Sequence, residues 1–191
     1  MMRTRCAVSS GLLLLVASVG MGAEPVEYEL DPAASSATFT LDATLHTVHG
    51  EMPITSGRLR FDPDGGEASG EVVLDARGAA TGDDKRDQKM HEEVLRSGDF
   101  PRLVFRLERV DGALPADGSG ELRLVGSLEL LGETHDVVIP ATVSREGDTV
   151  EGHGEVSIPY VAWGLEDPSV FVLRVAKEVV VELDVRGTLG Q

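Results

Sequence analysis

From about Val26 onward, apolar and polar residues alternate along the chain. Tyr28 and Leu30, then Ala37, Phe39, Leu41, Ala43 and Leu45, share one face, while Thr38, Thr40, Asp42, Thr44 and His46 take the other. A period of two marks a half-buried strand. The alternation returns at Leu59 and Phe61, at Val72 and Leu74, at Leu103, Phe105 and Leu107, and at Leu122, Leu124, Gly126, Leu128 and Leu130. It continues through Val137, Ile139, Ala141 and Val143, then Val156 and Ile158, and ends with Val179, Val181, Leu183 and Val185. Turn residues separate these runs, as at Asp62-Pro63-Asp64-Gly65-Gly66, Leu131-Gly132-Glu133 and Glu146-Gly147-Asp148. Eight or more short strands are predicted.

One stretch breaks the rhythm. Asp83 to Ser97 has no Gly, no Pro and no alternation, and Met90 and Val94 lie four apart with Leu95 beside them. A helix is predicted there, with Thr81 or Asp83 as its N-cap, Glu92 and Arg96 paired at i,i+4, and Gly98 followed by Pro101 as its stop. Its apolar stripe is narrow, so it is expected to lie across an opening or flank of the sheet. With no internal repeat or low-complexity tract, the pattern describes one all-β domain.

A long antiparallel sheet with one apolar face must pack on a second sheet or close on itself, and closure also removes exposed edges. The expectation is therefore an all-β fold: an antiparallel β-barrel of about eight strands with one short helix. Phe39, Leu41, Phe61, Leu74, Phe105, Leu124, Leu128 and Ile139 are the expected lining. Ala37, Ala43, Gly126 and Ala141 also fall inward, and the chain has only five Phe, two Tyr and one Trp to fill the space. Two states of the interior stay open: a lengthwise tunnel suited to an alkyl or isoprenoid chain, or a core filled by Leu, Val and Phe.

Ahead of the first strand, Met1 to Arg5 is basic, Cys6 to Val19 is mostly apolar, and Gly20-Met21-Gly22-Ala23 supplies small residues. This reads as a cleaved secretory signal over residues 1–23, leaving a domain over 24–191 that is periplasmic or secreted. Its run of about 14 apolar residues is shorter than the roughly 20 of a spanning helix, so no membrane span is expected in the mature chain. The single cysteine, Cys6, leaves with the leader and takes with it any disulfide or thiolate chemistry. A formal net charge of −16 disfavours nucleic acid and anionic bilayers as partners.

Little in the remaining residues points to catalysis or metal. His46 and His49 have a His-x-x-His spacing, but positions i and i+3 of a strand point to opposite faces unless a turn intervenes. Asp87 and His91, four apart on the predicted helix, have the spacing of an orienter and a base, yet no G-x-S-x-G elbow supplies a nucleophile. Ordinary surface pairing accounts for both pairs, so neither a catalytic set nor a metal site is assigned.

The stretch Thr81-Gly82-Asp83-Asp84-Lys85-Arg86-Asp87-Gln88-Lys89-Met90-His91-Glu92-Glu93-Val94-Leu95, followed by Phe100-Pro101-Arg102-Leu103-Val104-Phe105, resembles the central signature of the YceI-like family. Tyr28-Glu29-Leu30-Asp31-Pro32 resembles its opening strand, Gly57-Arg58-Leu59-Arg60-Phe61-Asp62 its next glycine-led strand, and Gly126 to His135 its later hairpin. The resemblance implies a secreted, lipocalin-like antiparallel barrel, with members that hold a polyisoprenoid or isoprenoid-quinone lipid, and no general catalytic set. Arg86 and Asp87 resemble the family's paired charges. Two departures stand out: the His-Ser pair usual after the opening strand is replaced around Ala34-Ser35-Ser36, and the Phe-rich connection after the helix is shortened to Ser97-Gly98-Asp99-Phe100-Pro101.

The leading expectation is a non-enzymatic lipid-binding protein that takes an isoprenoid lipid, quinone or similar long-chain amphiphile into the barrel. Arg86, Tyr160 and Trp163 are its candidate mouth residues, because a guanidinium can meet a polar head and each aromatic joins an apolar ring to a polar tip. No further cofactor is implied, and a homodimer is left open. The alternatives are a filled barrel acting as a protein-interaction module of the cell envelope, and an enzyme on a lipid or small molecule that works through His91.

Overall fold

The computed structural model describes residues 24–169 and 174–190; the expected signal, residues 1–23, lies outside the described residues. The strands are β1 (Val26–Leu30), β2 (Ser36–Asp42), β3 (Thr47–Glu51), β4 (Ile54–Phe61) and β5 (Gly66–Asp75), then β6 (Arg102–Asp111), β7 (Gly118–Leu130), β8 (Glu133–Glu146), β9 (Thr149–Ile158) and β10 (Val179–Gly190). One α-helix, α1 (Asp84–Lys89), lies between β5 and β6. All pairings are antiparallel, and the ring runs β1-β4-β5-β6-β7-β8-β9-β10 and closes through β1 on β10. The fold is a closed eight-strand antiparallel barrel, as the alternation implied.

β10 is long enough to serve two partners on one side. Its end, from Gly187 to Gly190, pairs with β1, while Val180 to Asp184 pairs with β2. The β2–β3 hairpin thus extends the wall of the barrel beyond the closed ring. Its turn corrects one expectation. Parity puts Leu45 inside with Leu41, but β2 ends at Asp42 and Leu45 sits at the hairpin tip, 77% exposed.

Short turns set the register elsewhere. Leu131 (φ 52) and Gly132 (φ 79) join β7 to β8 in a two-residue turn, and two successive positive φ values match the right-handed twist of the flanking strands. β6 carries a register shift between Leu107 and Arg109, beside which Gly126 packs so closely on β6 that a side chain would strike the Arg106 carbonyl. Gly126 is small because two backbones meet there, and no cavity results.

The helix begins where Asp83 Oδ1 accepts from the amides of Lys85 (3.1 Å) and Arg86 (3.0 Å). The Arg86 amide bond, more than any other influence, holds the Asp83 carboxyl below the usual carboxylate range. After Lys89 the helix widens into a π-turn over Met90–Val94, with the Leu95 amide bonded to the Met90 carbonyl. Arg96 (φ 46), and not Gly98, takes the left-handed position that ends it; the Ser97 amide returns to the His91 carbonyl, and the Arg96 guanidinium lies 4.9 Å from the Phe100 ring centre. The expected Glu92–Arg96 pair does not form. Glu92 accepts from Gln88 (2.9 Å) and Arg96 faces Asp99 (3.6 Å), because the π-turn and the left-handed residue break the i,i+4 alignment.

Candidate functional site

The barrel is filled at one end and hollow at the other. At the end bearing the β4–β5, β6–β7 and β8–β9 turns, Tyr28, Leu59, Phe61, Leu107, Val110, Leu114, Leu122, Val143 and Val150 form a packed core. Leu114 closes that end, its amide bonded to the Pro63 carbonyl (2.7 Å). Toward the other end the interior opens into a cavity of about 480 Å³, a volume in the range of sites for one small ligand. Ala37, Phe105, Ile139 and Leu183 reach its deeper part, and Met90, Val94 and Leu95 of the helical segment, with Leu165, Pro168 and Val175 from the β9–β10 connection, cover its mouth.

Of the residues expected to line the barrel, Phe39, Leu41, Leu74, Phe105, Leu128 and Ile139 face this cavity. Phe61 and Leu124 do not. Phe61 is buried in the packed end, paired with Val26 and Ala68, and Leu124 packs against the same core beside Val110. Both point inward as their parity requires, but they sit below the floor of the cavity. Among the small inward residues, Ala37 and Ala43 border the space, whereas Gly126 and Ala141 do not.

The three mouth candidates are placed differently from one another. Arg86 lines the cavity. Tyr160 also lines it, but its hydroxyl donates to the Ala176 carbonyl (2.7 Å), so it fastens the β9–β10 connection. Burial, with the Asp167 charge as a lesser cause, pushes its pKa up to about 12. Trp163 is not part of the lining; its ring stacks on His135 with centroids 4.2 Å apart and planes within 2°. His135 pairs across from Leu128 at the barrel rim, and its Nε2 is buried without a hydrogen-bond partner.

The other imidazoles are separated. His46 reaches the cavity mouth, while His49 Nδ1 lies 3.1 Å from the Thr40 hydroxyl on the adjacent strand. Asp87 and His91 have different partners: Asp87 accepts from the amide and hydroxyl of Thr81, and His91 Nδ1 lies 3.0 Å from Ser97 Oγ. Among the described residues, no group of three or more His, Cys, Asp or Glu is placed to hold a metal ion.

The mouth leaves little trace in the sequence. Leu165, Pro168 and Val175 come from a connection without alternation, and only the Met90, Val94 and Leu95 stripe announced a cover for an opening. The charge of the wall leaves none. In a chain with 33 acidic and 17 basic residues, the described residues that line the cavity include Arg86, Lys89 and His46 and no carboxylate.

Known proteins with this architecture share its fold at low identity. The crystal structure of BcnA from Burkholderia cenocepacia is 21% identical, with a TM-score of 0.68 over 83% of this chain and 99% of that one. A polyisoprenoid binding domain from Saccharophagus degradans, implicated in plant cell wall breakdown, is 16% identical, with a TM-score of 0.67 over 85% and 98%. The YceI protein of Campylobacter jejuni is 13% identical, with a TM-score of 0.61 over 97% and 100%. No curated protein matches by sequence. The model of the YceI-like domain matches residues 28–187. With that match running from β1 into β10, and with a hollow barrel covered by the very segment that carries the signature, the chain belongs to the YceI-like family.

Proposed function

We propose that this protein is a non-enzymatic carrier that holds one isoprenoid or similar long-chain amphiphile in the hollow end of its barrel, after export to the periplasm. The observation that carries the reading is the cavity of about 480 Å³, lined almost wholly by apolar side chains. Each methylene moved from water into such a wall contributes about 0.8 kcal/mol. Ten of them offset an association cost of roughly 4–15 kcal/mol only in its lower range, so a long chain is required. The fold shared with a polyisoprenoid binding domain supports the same chemistry. A filled barrel acting through its surface would need side chains across the whole interior, and here they fill one end.

Native mass spectrometry of the protein purified from a periplasmic extract, with solvent extraction of the same sample, tests the proposal. A stoichiometric adduct of lipid mass is expected. A clean apo mass that persists after incubation with polyprenyl lipids and quinones would remove the carrier reading.

A further inference from the structure

The described residues hold two sulfur atoms, the thioethers of Met52 and Met90, and both line the cavity. Cys6, Met1, Met2 and Met21 all belong to residues 1–23. Among the described residues, therefore, no thiol competes with these two thioethers for an oxidant. Their access to solvent differs. Met52 is buried, 9% exposed, whereas Met90 is half-buried where the helical segment covers the mouth. Susceptibility of sulfur to oxidation follows exposure, so Met90 is the first to react.

Met90 is also held in place. Its amide donates to the carbonyls of Arg86 and Asp87, and its carbonyl accepts from the Leu95 amide (2.8 Å). The bond to Arg86 is that of a regular helical turn, so the Arg86 and Met90 side chains are i,i+4 neighbours on one face, and both border the cavity. Arg86 has hydrogen bonds to spare. Its Nε–H donates to Thr81 Oγ1 (2.7 Å) and one Nη2–H to the Thr81 carbonyl (3.0 Å). A guanidinium carries five N–H groups, so three remain without a partner among the described residues. A thioether accepts a hydrogen bond only weakly. The polarised oxygen of a sulfoxide accepts strongly, so the guanidinium beside Met90 favours the oxidised side chain over the reduced one.

From this we infer that Met90 is a reversible oxidation site, at which a peroxide converts the thioether to a sulfoxide held by Arg86, and that this change weakens the cavity's grip on an apolar chain. In the step, a sulfur lone pair bonds to one oxygen of hydrogen peroxide as the O–O bond breaks. The departing hydroxide takes the proton from the transferred oxygen and leaves as water. Sulfur is oxidised by two electrons and the peroxide is reduced by two. A flexible apolar side chain becomes a polar one, and an apolar ligand laid over it has to cover a polar oxygen. The inference rests on the carrier reading and adds a control to it.

The test is titration of the delipidated protein with retinol, a fluorescent single-chain isoprenoid, before and after treatment with hydrogen peroxide. Peptide mass mapping locates the oxygen taken up, and thermal melts of both forms separate a changed cavity from an unfolded barrel. Met90 should be converted at doses that leave Met52 largely intact, and retinol should then bind about fivefold more weakly to a protein that is still folded. The two methionine sulfoxide reductases, one for each sulfoxide epimer, should restore the affinity. Each variant is compared with itself before and after peroxide. In Met90→Leu the two titrations should agree, in Met52→Leu the fall should persist, and in Arg86→Gln it should shrink to about twofold. Equal affinity in the reduced protein and in protein carrying the Met90 sulfoxide would overturn the inference and leave the carrier reading standing. Oxidation of Met52 ahead of Met90, or a fall that comes only with unfolding, would do the same. An undiminished fall in Arg86→Gln would overturn the part given to the guanidinium. A reduced protein that binds no retinol would overturn both readings. Should Met90→Leu not fold, the unaltered protein and its enzymatic re-reduction decide the matter.

Discussion

The ring of Phe39 lies across Gly50, its cross-strand partner in the β2–β3 hairpin. A Cβ added to Gly50 would stand 2.7 Å from ring atoms Cε1 and Cε2, so the absence of a side chain on β3 is what lets an aromatic on β2 lie flat against the wall of the cavity. A glycine that weakens a strand is compensated by a ring laid over it.

Gly50→Ala should therefore force Phe39 into the cavity or off its rotamer and destabilise the protein by about 1–3 kcal/mol. In a Phe39→Ala background the same change should be neutral or mildly stabilising. Urea denaturation of the four proteins of the cycle measures the coupling; additive effects would show that the two residues do not meet as described.

Tyr160→Phe should cost about 0.5–1.5 kcal/mol by removing the bond to the Ala176 carbonyl. The same residue gives an alkaline prediction. Burial pushes the pKa of Tyr160, and that of Tyr28, from 10.0 up to about 12. The folded state favours the neutral phenol, so its stability is complete below pH 10 and declines as pH rises toward 12. Thermal melts from pH 9 to 12 should show that decline, and Tyr160→Phe should make it shallower.

His153 Nδ1 lies 2.9 Å from Asp184 Oδ1 on the outer face, and this bond, with the Asp184 charge next and Glu182 and Glu155 behind it, raises the histidine above 6.5. A folded pKa above the unfolded one means that the contribution is full below about pH 6.5 and fades as pH rises through the raised value. Asp184→Asn should return the His153 titration, followed by NMR, toward 6.5. Because the pair is solvent-exposed, the accompanying change in melting temperature should be small.

Val181 lines the cavity between Phe39 on β2 and Val156 on β9. Val181→Trp should fill the space, lower lipid affinity at least tenfold and change stability by no more than about 1–3 kcal/mol. Lipid retention read by native mass spectrometry, beside a urea curve, separates a blocked cavity from an unfolded barrel.

A floor at Ala37, Phe105, Ile139 and Leu183 sets a limit on chain length. Across a series of single-chain ligands with one head, affinity should rise about fourfold per methylene, the equivalent of about 0.8 kcal/mol, and then level off when the chain meets the floor. A rise that continues through the longest chains would mean that the packed end opens.

Much of this was legible before any fold was known. Alternation named the strands, and the residues Phe39, Leu41, Leu74, Phe105, Leu128 and Ile139 face the cavity as their parity predicts. Phe61 and Leu124 obey the same parity and yet lie in the packed end, because a period of two specifies the face of a strand and says nothing of depth along the barrel axis. Trp163 has the amphipathic ring of a mouth residue, but its stacking partner His135 comes from β8, a distant segment that spacing alone does not pair with it. Leu45 leaves the strand at a turn after Asp42 that carries no Gly or Pro to announce it.

The sequence by itself determined the local matters: strand periodicity, the cap at Asp83, the turns that carry Gly and the family signature. These depend on residues within a few positions of one another, where sterics and hydrogen bonding act without help from the rest of the chain. Only the tertiary structure decided that β1 closes the ring on β10, which half of the interior is filled, and that the described residues of the cavity wall include no carboxylate in a chain so rich in them. Each of those is set by pairings between distant segments. Their register fixes the height of every inward side chain, and so whether it meets a neighbour or an empty space.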